Sequence, residues 1–215
     1  MKRSGITIAL CALALIALAA GAQARDNAPM ELMDALATGQ VEAVFYGNGD
    51  QSVTGRVRRT AFGPDQVMIE PGTQFWAQQP GLQGMTTLGW VPIDLSRRAI
   101  AYVEVPTACT NLDRPAPTRD NLMTPVPCPE PRMAALAQEI GRSAPPRPVV
   151  QLAVWAIAND PSWDAVAEYA RTHARTDSDT ERAQIAEGYR LGAAQLLWRA
   201  GIVPAGYRMF AGMAR

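Results

Sequence analysis

The chain has 215 residues, sets 20 Lys plus Arg against 20 Asp plus Glu, and carries one histidine and three cysteines. The charges are interspersed with no basic stripe, so a nucleic acid is not an expected partner. One histidine and no zinc-spaced cysteine pair argue against a metal centre, and no cofactor is expected.

Met1-Lys2-Arg3 is a short basic start, Ile6 to Ala20 is an almost unbroken apolar run, and Ala22-Gln23-Ala24 is a small-residue exit. That order reads as a secretory signal peptide over residues 1–24, cleaved to leave Arg25 first. The run is shorter than the ~20 apolar residues a membrane span needs. Cys11 follows Leu10 in mid-run, so no lipid anchor is expected. Nothing later resembles a transmembrane span. Lys2 is the only lysine; loss of Lys2 and Arg3 leaves a mature chain of net charge near −2. The expected location is the periplasm, with release to the outside as the alternative.

Residues 25–105 open with a brief helix: Asn27 as cap, Pro29 in its first turn, Met30, Met33 and Leu36 a turn apart, and Gly39 at its end. Short strands follow. Val41, Ala43 and Phe45 alternate with Glu42, Val44 and Tyr46 before a Gly47-Asn48-Gly49-Asp50 turn. Ser52 to Arg59 alternates again, Gly63-Pro64-Asp65 turns, and Val67 to Glu70, Thr86 to Ile93 and Ala99 to Val105 read as further strands. This predicts a small antiparallel β-sandwich, and the lack of βαβ alternation argues against a parallel-sheet enzyme fold.

Residues 106–130 hold Pro115, Pro117, Pro125, Pro127 and Pro129 and read as an extended connector. Cys109 and Cys128 lie in it. In an oxidising compartment such a pair is first read as a disulfide.

Residues 131–215 read as a C-terminal helical bundle, making the whole α+β. Met133, Leu136, Ala137 and Ile140 follow helical spacing from Pro131 to Gly141. Val149 to Ala158 is apolar on nearly all sides and therefore a buried helix. Asp160 with Pro161 starts another, with Trp163, Val166, Ala167 and Ala170 inward. Ser178 and Glu181 form a capping box for a long helix to about Ala200, ended by Gly201. Pro204 opens a last short helix.

No catalytic set stands out. His173 sits in a polar stretch, with no nucleophile elbow before it, and reads as a solvated helix residue; a hydrolase would need it or a carboxylate pair. Asp177 and Asp179 fall at capping positions. Phe75, Trp76 and Trp90 gather near a turn and are candidate binding aromatics; the alternative places Phe75 and Trp90 on strands, facing the core. The leading expectation is a non-enzymatic structural or binding module with an unknown protein or envelope partner.

One constellation is more specific. Val150-Gln151-Leu152-Ala153-Val154-Trp155 places a glutamine inside an apolar helix, where unpartnered burial costs about 1–3 kcal/mol. Upstream, Cys109 follows a predicted strand. The pairing resembles the internal thioester domains of bacterial surface proteins, in which a cysteine near a strand end joins the glutamine of a Gln-x-Ala-(Val/Ile)-Trp helix. The resemblance implies that the Cys109 thiolate attacks the Gln151 amide, ammonia leaves, and the thioester captures amines on a target. Here Ala108 precedes the cysteine, where those domains carry an aromatic or large residue, the Cys–Gln spacing is short, and no wall-sorting motif ends the chain. The order of elements, from Gly47-Asn48-Gly49 through Val103-Glu104-Val105 to the Gln151 helix, also resembles secreted bacterial proteins that join an immunoglobulin-like sandwich to a helical tail. In that setting Gln151 would hold the helices against the sandwich.

Overall fold

The computed structural model describes residues 29–213. The signal-peptide reading, with its Ala22-Gln23-Ala24 exit, and the Asn27 cap lie outside the described residues. Among the described residues nine strands run in order β1 (Met30–Glu31), β2 (Val41–Gly47), β3 (Ser52–Arg59), β4 (Gln66–Ile69), β5 (Gln74–Ala77), β6 (Met85–Thr87), β7 (Val91–Asp94), β8 (Ile100–Cys109) and β9 (Leu122–Val126). The α-helices are α1 (Leu32–Ala37), between β1 and β2, then α2 (Pro131–Ser143), α3 (Arg147–Asn159), α4 (Trp163–Thr172) and α5 (Asp179–Arg199).

The expected sandwich is corrected to a closed barrel. Its strands follow the order β2-β3-β8-β6-β5-β9, and β9 returns to β2. A second, three-stranded sheet, β1-β4-β7, lies beside it. The closing strand comes from the proline-rich segment. Leu122 and Met123 pair with Tyr46 and Phe45, while Met123 to Val126 pair with Ala77 to Gln74. Alternating burial is the same for a sandwich and a barrel, so only the pairing of β9 with both neighbours separates them.

Register follows side-chain demand. Phe45 lies opposite Gly55 across the β2–β3 ladder. Its ring occupies the place a Cβ at 55 would take. It also meets Phe75 edge-on, with centroids 4.9 Å apart. These two rings, with Val53, Met85 and Val105, form the centre of the barrel core.

The separate helical bundle is corrected as well. The helices gather on α3, which contacts α2, α4, α5 and also β8. Every residue of α3 from Pro148 to Ala156 is buried. That explains its lack of a polar face: one side meets helices and the other meets the barrel. Gly141 of α2 and Gly89, after β6, lie backbone to backbone, so a side chain at either would hold helix and loop apart.

Several local expectations shift. Residues 30–31 are a strand parallel to β4, and α1 begins after them. Asp160 caps the C-terminus of α3 with φ 44° instead of starting α4, whose cap is Ser162. Ser178 does accept from the Glu181 N–H (3.4 Å), but the Glu181 carboxylate takes the Thr176 hydroxyl (2.5 Å), so the reciprocal half of the box is absent. The segment from Pro204 forms two 3₁₀ turns.

Candidate site at the barrel–helix junction

The anticipated Cys109–Cys128 disulfide is not formed; both are free thiols. The intervening chain is not a loose loop but carries β9, whose pairing fixes where each cysteine goes. Cys109 ends β8 in the barrel core, while Cys128 packs on the helical core with its sulfur 3.1 Å from the Glu130 carbonyl.

Cys109 and Gln151, in contrast, meet. Cys109 is 3 % and Gln151 2 % exposed. The Gln151 Nε2 donates to the Cys109 carbonyl (2.7 Å), and the Cys109 N–H donates to Gln151 Oε1 (3.1 Å). The side-chain amide thus behaves like one residue of an added strand. It sits where β3 no longer covers β8: β3 pairs with β8 only as far as Ser52 opposite Pro106. On the other edge of β8, Cys109 pairs with Met85. Without Gln151, two main-chain groups at the end of β8 would be buried unpaired, which costs about 1–3 kcal/mol each.

Helical spacing assembles the remainder. Arg147, Gln151 and Trp155 are four residues apart on α3 and share one face. The Arg147 guanidinium donates to the Thr107 carbonyl (2.5 Å), to the Asp50 carbonyl, and over 3.4 Å to Gln151 Oε1. The Cys109 sulfur rests on that same Asp50 carbonyl at 3.7 Å. Trp155 packs edge-on against Tyr169 (4.7 Å), and Tyr169 in turn lies on His173 (4.2 Å).

Electrostatics keep the thiol protonated. Burial pushes Cys109 up to about 12; the Arg147 cation pulls the other way, and the Asp50 carboxylate adds to the rise. Burial also raises Tyr169 to about 12, again opposed by Arg147. A buried thiol and a buried amide are therefore gathered with a half-buried cation at one junction.

The chemistry open to this arrangement is acyl transfer. The Oε1 oxygen already takes two donors, the Cys109 N–H and the Arg147 guanidinium. Attack by sulfur requires the amide to release the Nε2 bond to the Cys109 carbonyl and turn its carbon towards Sγ.

The candidate aromatics divide. Phe75 is fully buried in the barrel core and is not a binding residue. Trp76 (55 % exposed) borders a cleft of about 540 Å³ with Gln74, Asn111, Arg114 and Asn159. Trp90 (51 % exposed) lies at a different cleft, beside Pro106 and Arg142. Opposite pleat faces explain the Phe75–Trp76 split.

His173 is not a free helix residue. It caps the end of α4, with its Nδ1 2.8 Å from the Tyr169 carbonyl. Asp179 pairs with Arg182 at 2.8 Å. Among the described residues no group of three or more His, Cys, Asp or Glu is placed to hold a metal ion, and no helix is long and apolar enough to cross a membrane.

Sequence reasoning missed Arg147 and Tyr169. Arg147 had a readable signal, being four residues before Gln151. Tyr169 had none, because its approach depends on how α4 folds back on α3. Set against known protein families, curated proteins and solved structures, the chain matches none of them.

Proposed function

We propose that this is an exported protein whose barrel–helix junction forms an internal Cys109–Gln151 thioester, used for covalent attachment to amines on a partner surface. The observation that carries the reading is the meeting of Gln151 with Cys109 in a buried site, where the Gln151 amide is bonded to the Cys109 backbone at 2.7 and 3.1 Å. The Gln-x-Ala-Val-Trp spacing supports it, since Trp155 and Tyr169 cover the same face. The atoms balance without an added reagent: sulfur bonds to the amide carbon, the C–N bond breaks, and nitrogen leaves as ammonia with the thiol proton. A target amine then bonds to that carbon, and the sulfur leaves with the amine's proton.

Intact mass of the full chain, recovered after export, tests this. The expected mature protein is lighter by one ammonia and gains one methylamine on Gln151 when incubated with that amine. A mature mass that retains the ammonia, with no methylamine uptake, overturns the reading.

A second reading is favoured by the completeness of the same hydrogen bonds. Both ends of the Gln151 amide are satisfied by Cys109 alone, so the residue can act purely as a clamp holding α3 to β8 in a non-enzymatic binding module. That reading expects no mass change, and Gln151→Glu should then weaken folding without altering any chemistry.

A further inference from the structure

We infer that Arg147 is the group that activates the Gln151 carbonyl, forming with the Cys109 N–H a two-donor pocket for the oxygen that becomes negative when sulfur or an amine attacks. The inference rests on the thioester reading and adds a role for a residue outside the Cys–Gln pair.

The placement of Arg147 has no explanation in helix stability. It is the first residue of α3, where a cation opposes the helix dipole at a cost of about 0.3–1 kcal/mol. Its neighbours there are oxygens of neutral groups: the Thr107 and Asp50 carbonyls on the barrel side and Gln151 Oε1 on its own helix. The two barrel carbonyls fix the plane of the guanidinium, and Nη2 is left 3.4 Å from the amide oxygen. Its Nε is buried with no hydrogen-bond partner. A partly buried cation held in advance near a carbonyl oxygen gains strength as charge develops on that oxygen, which is the condition for lowering an acyl-transfer barrier rather than tightening the resting state. The same cation also opposes the burial that keeps Cys109 protonated.

Both steps would use it. In formation, the S–C bond forms, the C–N bond breaks and ammonia leaves. In capture, the amine nitrogen bonds to carbon, the C–S bond breaks and a proton returns to sulfur. The oxyanion lies on the same oxygen in each.

Full-length Arg147→Met and Arg147→Lys, exported beside wild type, give the test, with methylamine as the probe. Arg147→Met should lose ammonia and capture methylamine at least about tenfold more slowly than wild type, and Arg147→Lys, which keeps the charge without the planar fork, should fall between them. A merely structural arginine predicts the opposite sign for capture, because a loosened junction exposes the thioester and speeds the amine. Capture by Arg147→Met as fast as wild type or faster, in protein that does form the thioester, overturns the inference and leaves the thioester reading standing. If Arg147→Met does not fold, Arg147→Lys decides alone: slowed capture supports the role, wild-type capture removes it. A wild-type protein that never loses ammonia is a different failure, that of the thioester itself, and the inference falls with it.

Discussion

The barrel and the helical layer bury comparable apolar cores by opposite means. In the barrel, hydrogen bonding passes between segments far apart in sequence, and closure waits on β9, which pairs with β2 and with β5. In the helical layer each segment satisfies its own main chain, and association needs only apolar faces around α3. The consequence appears at their boundary. Beyond its first turn a helix brings no spare main-chain donors to a sheet, and at Gln151 it is a side chain that satisfies the open end of β8. The residue that solves this folding problem is also the residue whose amide the proposed thioester would use.

The sharpest way to break the comparison is to empty each core in turn. Phe75→Ala in the barrel and Leu152→Ala in α3 each remove a fully buried side chain and should cost about 3–5 and 2–5 kcal/mol respectively. Denaturant unfolding followed by far-UV dichroism and by tryptophan fluorescence should show one coincident transition lowered by either change. Two transitions, each sensitive to only one substitution, would mean that the junction does not couple the regions.

Next in size is the junction itself. Gln151→Leu keeps bulk but orphans the Cys109 N–H and carbonyl, and should lower stability by about 2–4 kcal/mol in the same assay. A cost below that of an ordinary surface change would show that the two hydrogen bonds do not hold α3 to β8.

A smaller effect is expected with pH. The Cys109 thiol is raised from an ordinary value of 9.0 to about 12. The unfolded thiol therefore ionises first, so the stability contributed by the protonated buried form is fully present below about pH 9 and is lost as pH rises towards about 12. Cys109→Ala should flatten that part of the pH–stability curve, measured by thermal melts at stepped pH. Protein whose sulfur is already acylated should be equally flat, which makes the slope a second gauge of thioester content.

Smallest of all should be Trp76→Ala. More than half of that side chain is in solvent, against none of its neighbour Phe75. Its removal should move the melting midpoint by no more than an ordinary surface substitution, within about 0.5 kcal/mol. A larger loss would place Trp76 in the fold instead of in the cleft it borders.

Much of the local structure was legible residue by residue. The β2–β3 hairpin, the four longer helices and the inward faces of α2 and α4 follow from alternation, helical spacing and turn residues, because those signals act over a few residues. The anomaly at Gln151 was also legible, since a glutamine in an otherwise apolar helix demands a partner. The β5 strand entered only as an alternative placement of Phe75, and β9 not at all, because its proline content reads as an open connector when Pro125 is seen without its partner Phe75.

What the amino-acid order determined by itself was therefore local: an α+β chain, a brief helix and short strands before the longer helices, one buried helix with an unexplained amide, and Cys109 and Cys128 in a proline-rich stretch. What only the tertiary structure decided was which distant groups meet. Strand alternation specifies which side chains point inward but not which strand lies alongside, so closure of the barrel came from β9 pairing on both edges. That same pairing carried Cys128 to the helical core and left Cys109 at the end of β8. There, the disulfide expected of an even cysteine pair is absent, and Gln151 instead bonds the Cys109 main chain twice, because an unfilled main-chain edge needs an amide that can satisfy both its groups.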